Sequence, residues 1–210
     1  MIRFLFQGDS ITDANRDRDD ERIGSEVLGY GYPNLFASDF LRNNKGKYEF
    51  INRGVSGDRI VDVYSRIKED IINLEPDVMS ILIGVNDIWH EVNDQNGVDT
   101  PKFEKIYSML IEEIKEALPN IKIIILEPFV LYGEGSKRCY DVFRKGVEER
   151  ADVARRIANK YDLAFVPLLK QFDDAASDGD TKYWTTDGVH PTAAGHQLIK
   201  EELVKAFKTI

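Results

Sequence analysis

Two short segments of the chain are almost continuously apolar, and they constrain its fold more than any other feature. Residues 78–83 read Val-Met-Ser-Ile-Leu-Ile, and residues 123–126 read Ile-Ile-Ile-Leu. A strand with one face in water alternates apolar and polar residues, whereas a strand covered on both faces reads as a continuous apolar run. The two segments therefore predict strands of a parallel sheet that carries helices on both faces.

Strands and helices are predicted to alternate along the rest of the chain. The five predicted strands cover residues 2–6, 48–52, 78–83, 121–126 and 163–167. Apolar residues spaced three and four apart predict helices between them. These helices cover residues 32–41, 60–74, 101–118, 143–161 and 198–207. Such alternation is typical of βαβ units, so we expect a single α/β domain over residues 1–210, built as an open three-layer α/β/α sandwich.

Composition and charge argue against nucleic-acid and membrane partners and against an internal disulfide. The formal net charge of -9 disfavours nucleic acids and anionic membranes, because phosphate contacts need clustered Lys and Arg. No apolar stretch approaches the ~20 residues of a membrane span, and the apolar segment at residues 2–6 is too short for a signal-peptide core. Cys139 is the only cysteine, so no disulfide can form within the chain. We expect a cytoplasmic protein.

Chemically useful side chains follow the predicted strands. Ser10, Gly54 and Asn86 come after the first, second and third strands, and Asp187 and His190 precede the last helix. In open α/β sheets, binding sites form outside the carboxyl ends of the strands, so these residues should converge. Together they supply a hydroxyl, a backbone N–H, a side-chain amide and a carboxylate–imidazole pair. Acyl transfer through a serine needs these groups as nucleophile, base, orienting carboxylate and oxyanion donors.

Other catalytic motifs are absent from the sequence. Residues 54–57 (Gly-Val-Ser-Gly) are one residue short of the nucleophile elbow Gly-x-Ser-x-Gly. Neither a phosphate-binding loop nor a dinucleotide-binding fingerprint occurs. The three histidines, His90, His190 and His196, form no His-Glu-x-x-His pattern. We therefore expect no metal and no cofactor.

Four blocks of the sequence resemble the SGNH hydrolases, also called GDSL esterases. They are Gly-Asp-Ser-Ile-Thr at residues 8–12, Asn-Arg-Gly-Val-Ser-Gly at 52–57, Gly-Val-Asn-Asp at 84–87 and Asp-Gly-Val-His-Pro at 187–191. The blocks appear in the family's order and span the whole chain. The resemblance implies a flavodoxin-like parallel sheet of strand order 2-1-3-4-5 and the activity of a carboxylic-ester hydrolase.

The same resemblance implies a role for each site residue. Ser10 is the implied nucleophile, His190 the general base and Asp187 the carboxylate that orients the base. The Ser10 N–H, the Gly54 N–H and the Asn86 side-chain amide are the implied oxyanion hole.

Within this family, the chain is most similar to carbohydrate acetylesterases, including acetylxylan esterases. The similarity rests on residues 8–13, residues 86–89 and the last block, and it implies a small ester substrate such as an acetylated sugar or oligosaccharide. Trp89 could stack on that substrate or pack in the core. Thr186 is a departure, because relatives of this type often carry Trp there. Residues 15–29 are too charged to cover a long acyl chain, which also favours a small acyl group.

Simpler interpretations and other functions stay open at this level. Ser10, Gly54 and Asn86 could each serve a turn or a helix cap, and a backbone carbonyl could orient His190 in place of Asp187. An acyltransferase would use the same triad with an alcohol as acceptor. A catalytically inactive flavodoxin-like binding protein would share the fold. No interface is recognisable in the sequence, so homo-oligomer formation also stays open.

Overall fold

The protein is described by a computed structural model over residues 1–19 and 27–210, and a five-stranded parallel sheet lies at its centre. Its order is β2-β1-β3-β4-β5, and every neighbouring pair is parallel. The predicted strand order 2-1-3-4-5 is confirmed. The middle of the charged stretch at residues 15–29 lies outside the described residues. The strands are β1 (Ile2–Gly8), β2 (Tyr48–Asn52), β3 (Val78–Leu82), β4 (Lys122–Leu126) and β5 (Ala164–Val166).

Helices connect the strands and cover both faces of the sheet. No helix in the described ranges is long and apolar enough to cross a membrane. The helices are α1 (Ser10–Asp13), α2 (Tyr32–Asn43), α3 (Ile60–Ser65), α4 (Ile67–Asp70), α5 (Val85–Asp94), α6 (Thr100–Ala117), α7 (Tyr140–Tyr161), α8 (Leu168–Ala175), α9 (Thr181–Trp184) and α10 (Ala193–Phe207).

The hydrophobic core is divided into two layers by the sheet. Successive side chains of a strand point to opposite faces. Phe4 and Phe6 of β1 pack in one layer with residues of α2 and α10, whereas Leu5 packs in the other with residues of α3 and α6. The same alternation separates Ile124 from Ile125 in β4. This arrangement is the predicted three-layer sandwich.

The central strand β3 explains one of the two apolar runs of the sequence. It pairs with β1 on one side and β4 on the other, and all five of its residues are buried. Met79 and Ile81 belong to one core layer, and Val78 and Leu82 to the other. Because both faces of this strand are covered, neither face needs polar residues.

The segment from Ile60 to Leu74 is not the single helix that its spacing predicts. The structure divides it into α3, α4 and a 3₁₀ turn, with breaks at Arg66 (φ -108°) and Ile71 (φ -132°). Short helical turns preserve the spacing of three and four, so one face stays apolar across the breaks. The Arg66 guanidinium donates to Asp70 Oδ2 at 2.8 Å, which holds the first break in place.

Candidate active site

A sharp turn between β1 and α1 places Ser10 at the carboxyl edge of the sheet. Gly8 has a φ of +155°, and a Cβ there would lie 2.4 Å from the Leu82 carbonyl oxygen, so only glycine lets the chain pass this close to β3. Asp9 caps α1 by accepting the Ile11 N–H at 3.0 Å. Ser10 is therefore the first residue of a capped helix that begins directly after a buried strand.

Three of the predicted site residues form a continuous chain of contacts. Ser10 Oγ lies 2.8 Å from His190 Nε2, although the two residues are 180 positions apart in the sequence. His190 Nδ1 lies 2.7 Å from Asp187 Oδ2. A carboxylate therefore contacts the ring nitrogen opposite the serine, in the order that a nucleophile, base and orienting group require.

The turn that carries His190 is held rigidly by Asp187. Asp187 Oδ1 accepts the backbone N–H groups of Val189 at 2.9 Å and of His190 at 2.8 Å. The Asp187 carbonyl in turn accepts the N–H of Gly135, in the loop after β4, at 2.8 Å. Both oxygens of one carboxylate thus fix the backbone and the ring of His190 together, and the loop after β4 fixes the carboxylate's own backbone.

The contact between Asp187 and His190 changes the pKa of both groups. Burial raises the pKa of Asp187, but hydrogen bonds from His190 and Val189 outweigh it and bring that pKa below its usual 3.8. The hydrogen bond to Asp187 raises the pKa of His190 above 6.5, more than burial lowers it, and the charges of Asp187 and Asp9 add to the rise. Asp187 therefore stays ionised and His190 holds a proton more readily than a free imidazole.

This shift predicts the pH dependence of the reaction. A protonated His190 cannot accept the Ser10 proton, so kcat/KM should rise as pH increases through the raised His190 pKa, with a midpoint above 6.5. The measurement is kcat/KM for a soluble acetate ester across roughly pH 5 to 9. Asp187→Asn removes the charge that raises this pKa, so its midpoint should lie lower and its kcat should fall by about 10⁴-fold. A wild-type midpoint clearly below 6.5 would show that another group is the base.

Two predicted oxyanion donors have protons available. In α1 the N–H of Ile11 is taken by Asp9, but the Ser10 N–H has no acceptor among residues 1–19 and 27–210. Asn86 is buried in the first turn of α5 and donates one amide proton to the Asp58 carbonyl at 3.0 Å. Its second amide proton has no acceptor in the part of the chain that the structure describes. Both groups can therefore donate to a ligand oxygen.

The structure argues against Gly54 as the third donor. Its single N–H proton donates to Asn52 Oδ1 at 2.9 Å, and a Cβ on Gly54 would lie 2.4 Å from the Asp13 nitrogen. Gly54 is therefore needed for close packing against α1, and its N–H is already engaged.

Gly57, three residues later, carries an N–H that can donate in its place. It has a φ of +88° with open space at the Cβ position, and no acceptor in the described ranges takes its N–H. Gly57 precedes Asp58, whose carbonyl holds the Asn86 amide, so the two donors are neighbours. Both glycines are visible in the block at residues 52–57, but the sequence does not show which N–H is bonded by Asn52.

Trp89 lies beside the proposed base. Its ring centroid is 5.8 Å from that of His190 and 5.6 Å from that of Phe143 in the core. The side chain is half-buried, so it packs on the core and borders the site at once. Thr186 is exposed, and its backbone N–H donates to the His190 carbonyl at 2.8 Å.

The other two histidines do not belong to this chain of contacts. His90 lies within α5 and is half-buried. His196 is buried in α10, where its Nδ1 accepts the Tyr32 N–H at 3.2 Å. Burial lowers the pKa of His196 to about 4, so it is a neutral packing residue at physiological pH. Among the described residues, no three His, Cys, Asp or Glu side chains are grouped so that they could hold a metal ion.

Comparisons with known sequences point to one family. The model of the GDSL-like Lipase/Acylhydrolase family matches residues 6–198. An acetylxylan esterase from Geobacillus stearothermophilus is 30% identical over 210 residues, which cover 97% of this chain and 92% of that protein.

Solved structures agree with the sequence comparisons. A protein described as a GDSL-like lipase, from Parabacteroides merdae ATCC 43184, has a TM-score of 0.85 and 35% identity, covering 100% of this chain and 96% of the other. An acetylxylan esterase from Geobacillus stearothermophilus has a TM-score of 0.86 and 28% identity, covering 98% and 93%.

Further structures of that esterase are of named variants. Three are catalytic variants in which a serine, a histidine or an aspartate is replaced by alanine, with the aspartate three positions before the histidine. In a fourth variant, the replaced tryptophan directly precedes that aspartate. On the match to the family model and the identity to this relative, the chain belongs to the GDSL-like lipase/acylhydrolase family and is a carboxylic-ester hydrolase.

Proposed function

We propose that the protein hydrolyses small acyl esters, in particular O-acetyl groups on carbohydrates, through an acyl-enzyme on Ser10. The observation that carries the proposal is the chain of contacts from Ser10 Oγ through His190 to Asp187, at 2.8 Å and 2.7 Å. The acetylxylan esterase relative supports it, because its catalytic variants name a serine and an aspartate–histidine pair with the spacing of Asp187 and His190.

Acylation begins at Ser10. His190 Nε2 takes the Ser10 proton while Oγ attacks the ester carbonyl carbon. The carbonyl oxygen becomes an anion, and we assign its donors as the Ser10 N–H, the Gly57 N–H and the Asn86 amide. His190 then gives its proton to the leaving alcohol oxygen, the ester bond breaks, and the acyl group stays on Ser10.

Deacylation repeats the same steps with water. His190 takes a proton from a water molecule, whose oxygen attacks the acyl carbon. The bond between that carbon and Ser10 Oγ breaks, Oγ regains the proton from His190, and the carboxylic acid leaves. Asp187 stays ionised throughout and stabilises the charged imidazole.

We expect acetyl esters to be the best substrates. Each buried CH₂ of a longer chain would contribute ~0.8 kcal/mol if an apolar trough received it. The sequence of residues 15–29 (Asn-Arg-Asp-Arg-Asp-Asp-Glu-Arg-Ile-Gly-Ser-Glu-Val-Leu-Gly) is too charged to cover such a chain. For p-nitrophenyl esters, kcat/KM should therefore be highest with acetyl and lower with butyryl and longer groups.

The sugar part of the proposal is tested on acetylated xylose and xylo-oligosaccharides, with triglycerides for comparison. Acetate release from the sugars should be faster than hydrolysis of the triglycerides, because Trp89 beside His190 offers an aromatic face to a sugar ring. Product analysis with an added alcohol separates hydrolysis from acyl transfer. A chain-length maximum at octanoyl or beyond would overturn the substrate class and leave the triad assignment standing.

A further inference from the structure

A buried carboxylate on α1 holds the residue before Gly57. Asp13, the last residue of α1, is 4% exposed, and its Oδ2 accepts the Ser56 N–H at 3.0 Å. Asp13 is itself held by the Arg16 N–H on Oδ1 at 3.2 Å and by an ion pair with Arg18 at 2.6 Å. The residue before Gly57 is thus tied to the helix that begins with the nucleophile.

A second buried carboxylate holds the other end of the same segment. Asp87, in the first turn of α5, is fully buried, and its two oxygens accept the Ile60 N–H at 3.1 Å and 3.2 Å. Asn86, the residue before it, donates to the Asp58 carbonyl at 3.0 Å. Two consecutive residues of α5 therefore hold this segment at two points, the Asp58 carbonyl and the Ile60 N–H.

Hydrogen bonds hold the peptide groups on both sides of the one that carries the Gly57 N–H. The Val55–Ser56 group is held by Asp13 through the Ser56 N–H, and the Gly57–Asp58 group by a bond from the Asp58 N–H to the Val55 carbonyl at 3.1 Å. The Gly57 N–H lies between them, without an acceptor in the described ranges. The direction of the Gly57 N–H is therefore set by the peptide groups on either side of it.

The Asp87 carboxylate lies where burial disfavours its ionised form. Burial raises the pKa of Asp87 to about 7, which shows how unfavourable an ionised carboxylate is at this position. Asp87 nevertheless directs both oxygens at the N–H of Ile60, the first residue of α3, which directly follows the loop that presents Gly57.

We propose that Asp13 and Asp87 are positioning residues of the oxyanion hole. They hold residues 55–60 from two sides, so that the Gly57 N–H and the Asn86 amide converge on the substrate's carbonyl oxygen. Donors that are fixed in advance need no reorganisation when the negative charge develops, and a displacement of about 1 Å can cost about 10²-fold in rate. The inference rests on the proposed function, since it requires an oxyanion at Ser10.

The test measures kcat and KM on p-nitrophenyl acetate for Asp13→Ala and Asp87→Ala. We expect kcat to fall by about 10- to 100-fold with little change in KM, because the loop contributes mainly to the transition state. Asp87→Asn keeps an acceptor for the Ile60 N–H and should recover most of the kcat that Asp87→Ala loses.

Binding of an alkylboronic acid separates positioning from general destabilisation. When the boronic acid forms an adduct with the enzyme, the Ser10 oxygen bonds to boron, and the serine proton passes to His190. This tetrahedral adduct resembles the transition state, so its affinity should fall by the same factor as kcat/KM in both alanine variants. Should an alanine variant fail to fold, the corresponding Asp→Glu variant replaces it. That variant keeps the charge but moves the oxygens by about 1.5 Å, with the same expected loss.

Glu127 offers a matched control. It is a buried carboxylate that also accepts a backbone N–H, from Leu169 at 2.9 Å, and also pairs with an arginine, Arg155, at 2.8 Å. The segment it holds carries none of the proposed donors. Glu127→Ala should therefore lower the thermal unfolding midpoint and leave kcat and boronate affinity unchanged.

The outcomes distinguish a failure of the positioning role from a failure of the proposed function. Unchanged kcat and boronate affinity in folded Asp13 and Asp87 variants, alongside an inactive Ser10→Ala, would overturn the positioning role and leave the proposed function standing. A loss of kcat in Glu127→Ala as large as in the aspartate variants would also overturn it, since general loosening would then explain all three. An esterase activity that persists in Ser10→Ala would overturn the proposed function itself.

Discussion

Replacing Ser10 with alanine should lower kcat by about 10⁴-fold or more and leave the fold intact. The change removes one oxygen, which lies 2.8 Å from His190 Nε2, and keeps the backbone N–H and the Asp9 cap of α1. Binding and oxyanion contacts would account for the residual rate. The measurement is turnover of p-nitrophenyl acetate, with the thermal unfolding midpoint of the variant beside that of the wild type.

His190→Ala is the matched variant for this prediction. Nucleophile and base act as one unit, so the single variants should lose similar amounts and the double variant no more than either. An active-serine phosphonate should label the wild type and not Ser10→Ala. Turnover near the wild-type rate in Ser10→Ala, or losses that multiply in the double variant, would contradict the triad.

Asn86→Ala should lower kcat by about 10²- to 10³-fold with a modest change in KM. One amide proton of Asn86 is engaged by the Asp58 carbonyl, and the other remains for the substrate. A donor fixed in a buried position binds a developing anion more strongly than a neutral carbonyl, so its loss raises the barrier more than it weakens binding. Steady-state kinetics that resolve kcat and KM provide the measurement.

Asn86→Asp is the control for shape. It keeps the size of the side chain but replaces the free donor with an acceptor, so its kcat should be at least as low as that of Asn86→Ala. The unfolding midpoint is measured in parallel, because both changes also remove the bond to Asp58. A change confined to KM would mean that Asn86 binds the ester without stabilising the oxyanion.

Local sequence patterns predict which face of a helix or strand is buried. They predict less well where the backbone hydrogen bonds of a helix are interrupted. The apolar runs of β3 and β4 predicted a parallel sheet because both faces of those strands are covered. The spacing of apolar residues likewise predicts one helix over residues 60–74. In the structure that helix is interrupted at Arg66 and Ile71. Apolar spacing records which side chains face the core, and a chain of short turns satisfies it as well as a continuous helix does.

Helices α5 and α8 were not predicted, for a different reason. α5 begins at Val85, inside the block at residues 84–87 that follows β3, and its many polar residues make the apolar face hard to recognise in the sequence. α8 has only eight residues and starts directly after Pro167, so its pattern is too short to separate from a loop. Both helices bury apolar residues in the core, Val85 and Ile88 of α5 and Leu168 and Phe172 of α8.

By itself, the sequence determined which groups reach the carboxyl edge of the sheet, because parallel strands place Ser10, Asn86 and the turn with His190 there whatever the details of packing. Only the tertiary structure decided which of those groups are free to act. The Ser10–His190 distance of 2.8 Å joins residues 180 positions apart. The choice between Gly54 and Gly57 depends on the Asn52 side chain, which takes one N–H and leaves the other without an acceptor among the described residues. Hydrogen bonds of this kind depend on where distant segments pack, and local sequence carries no record of that.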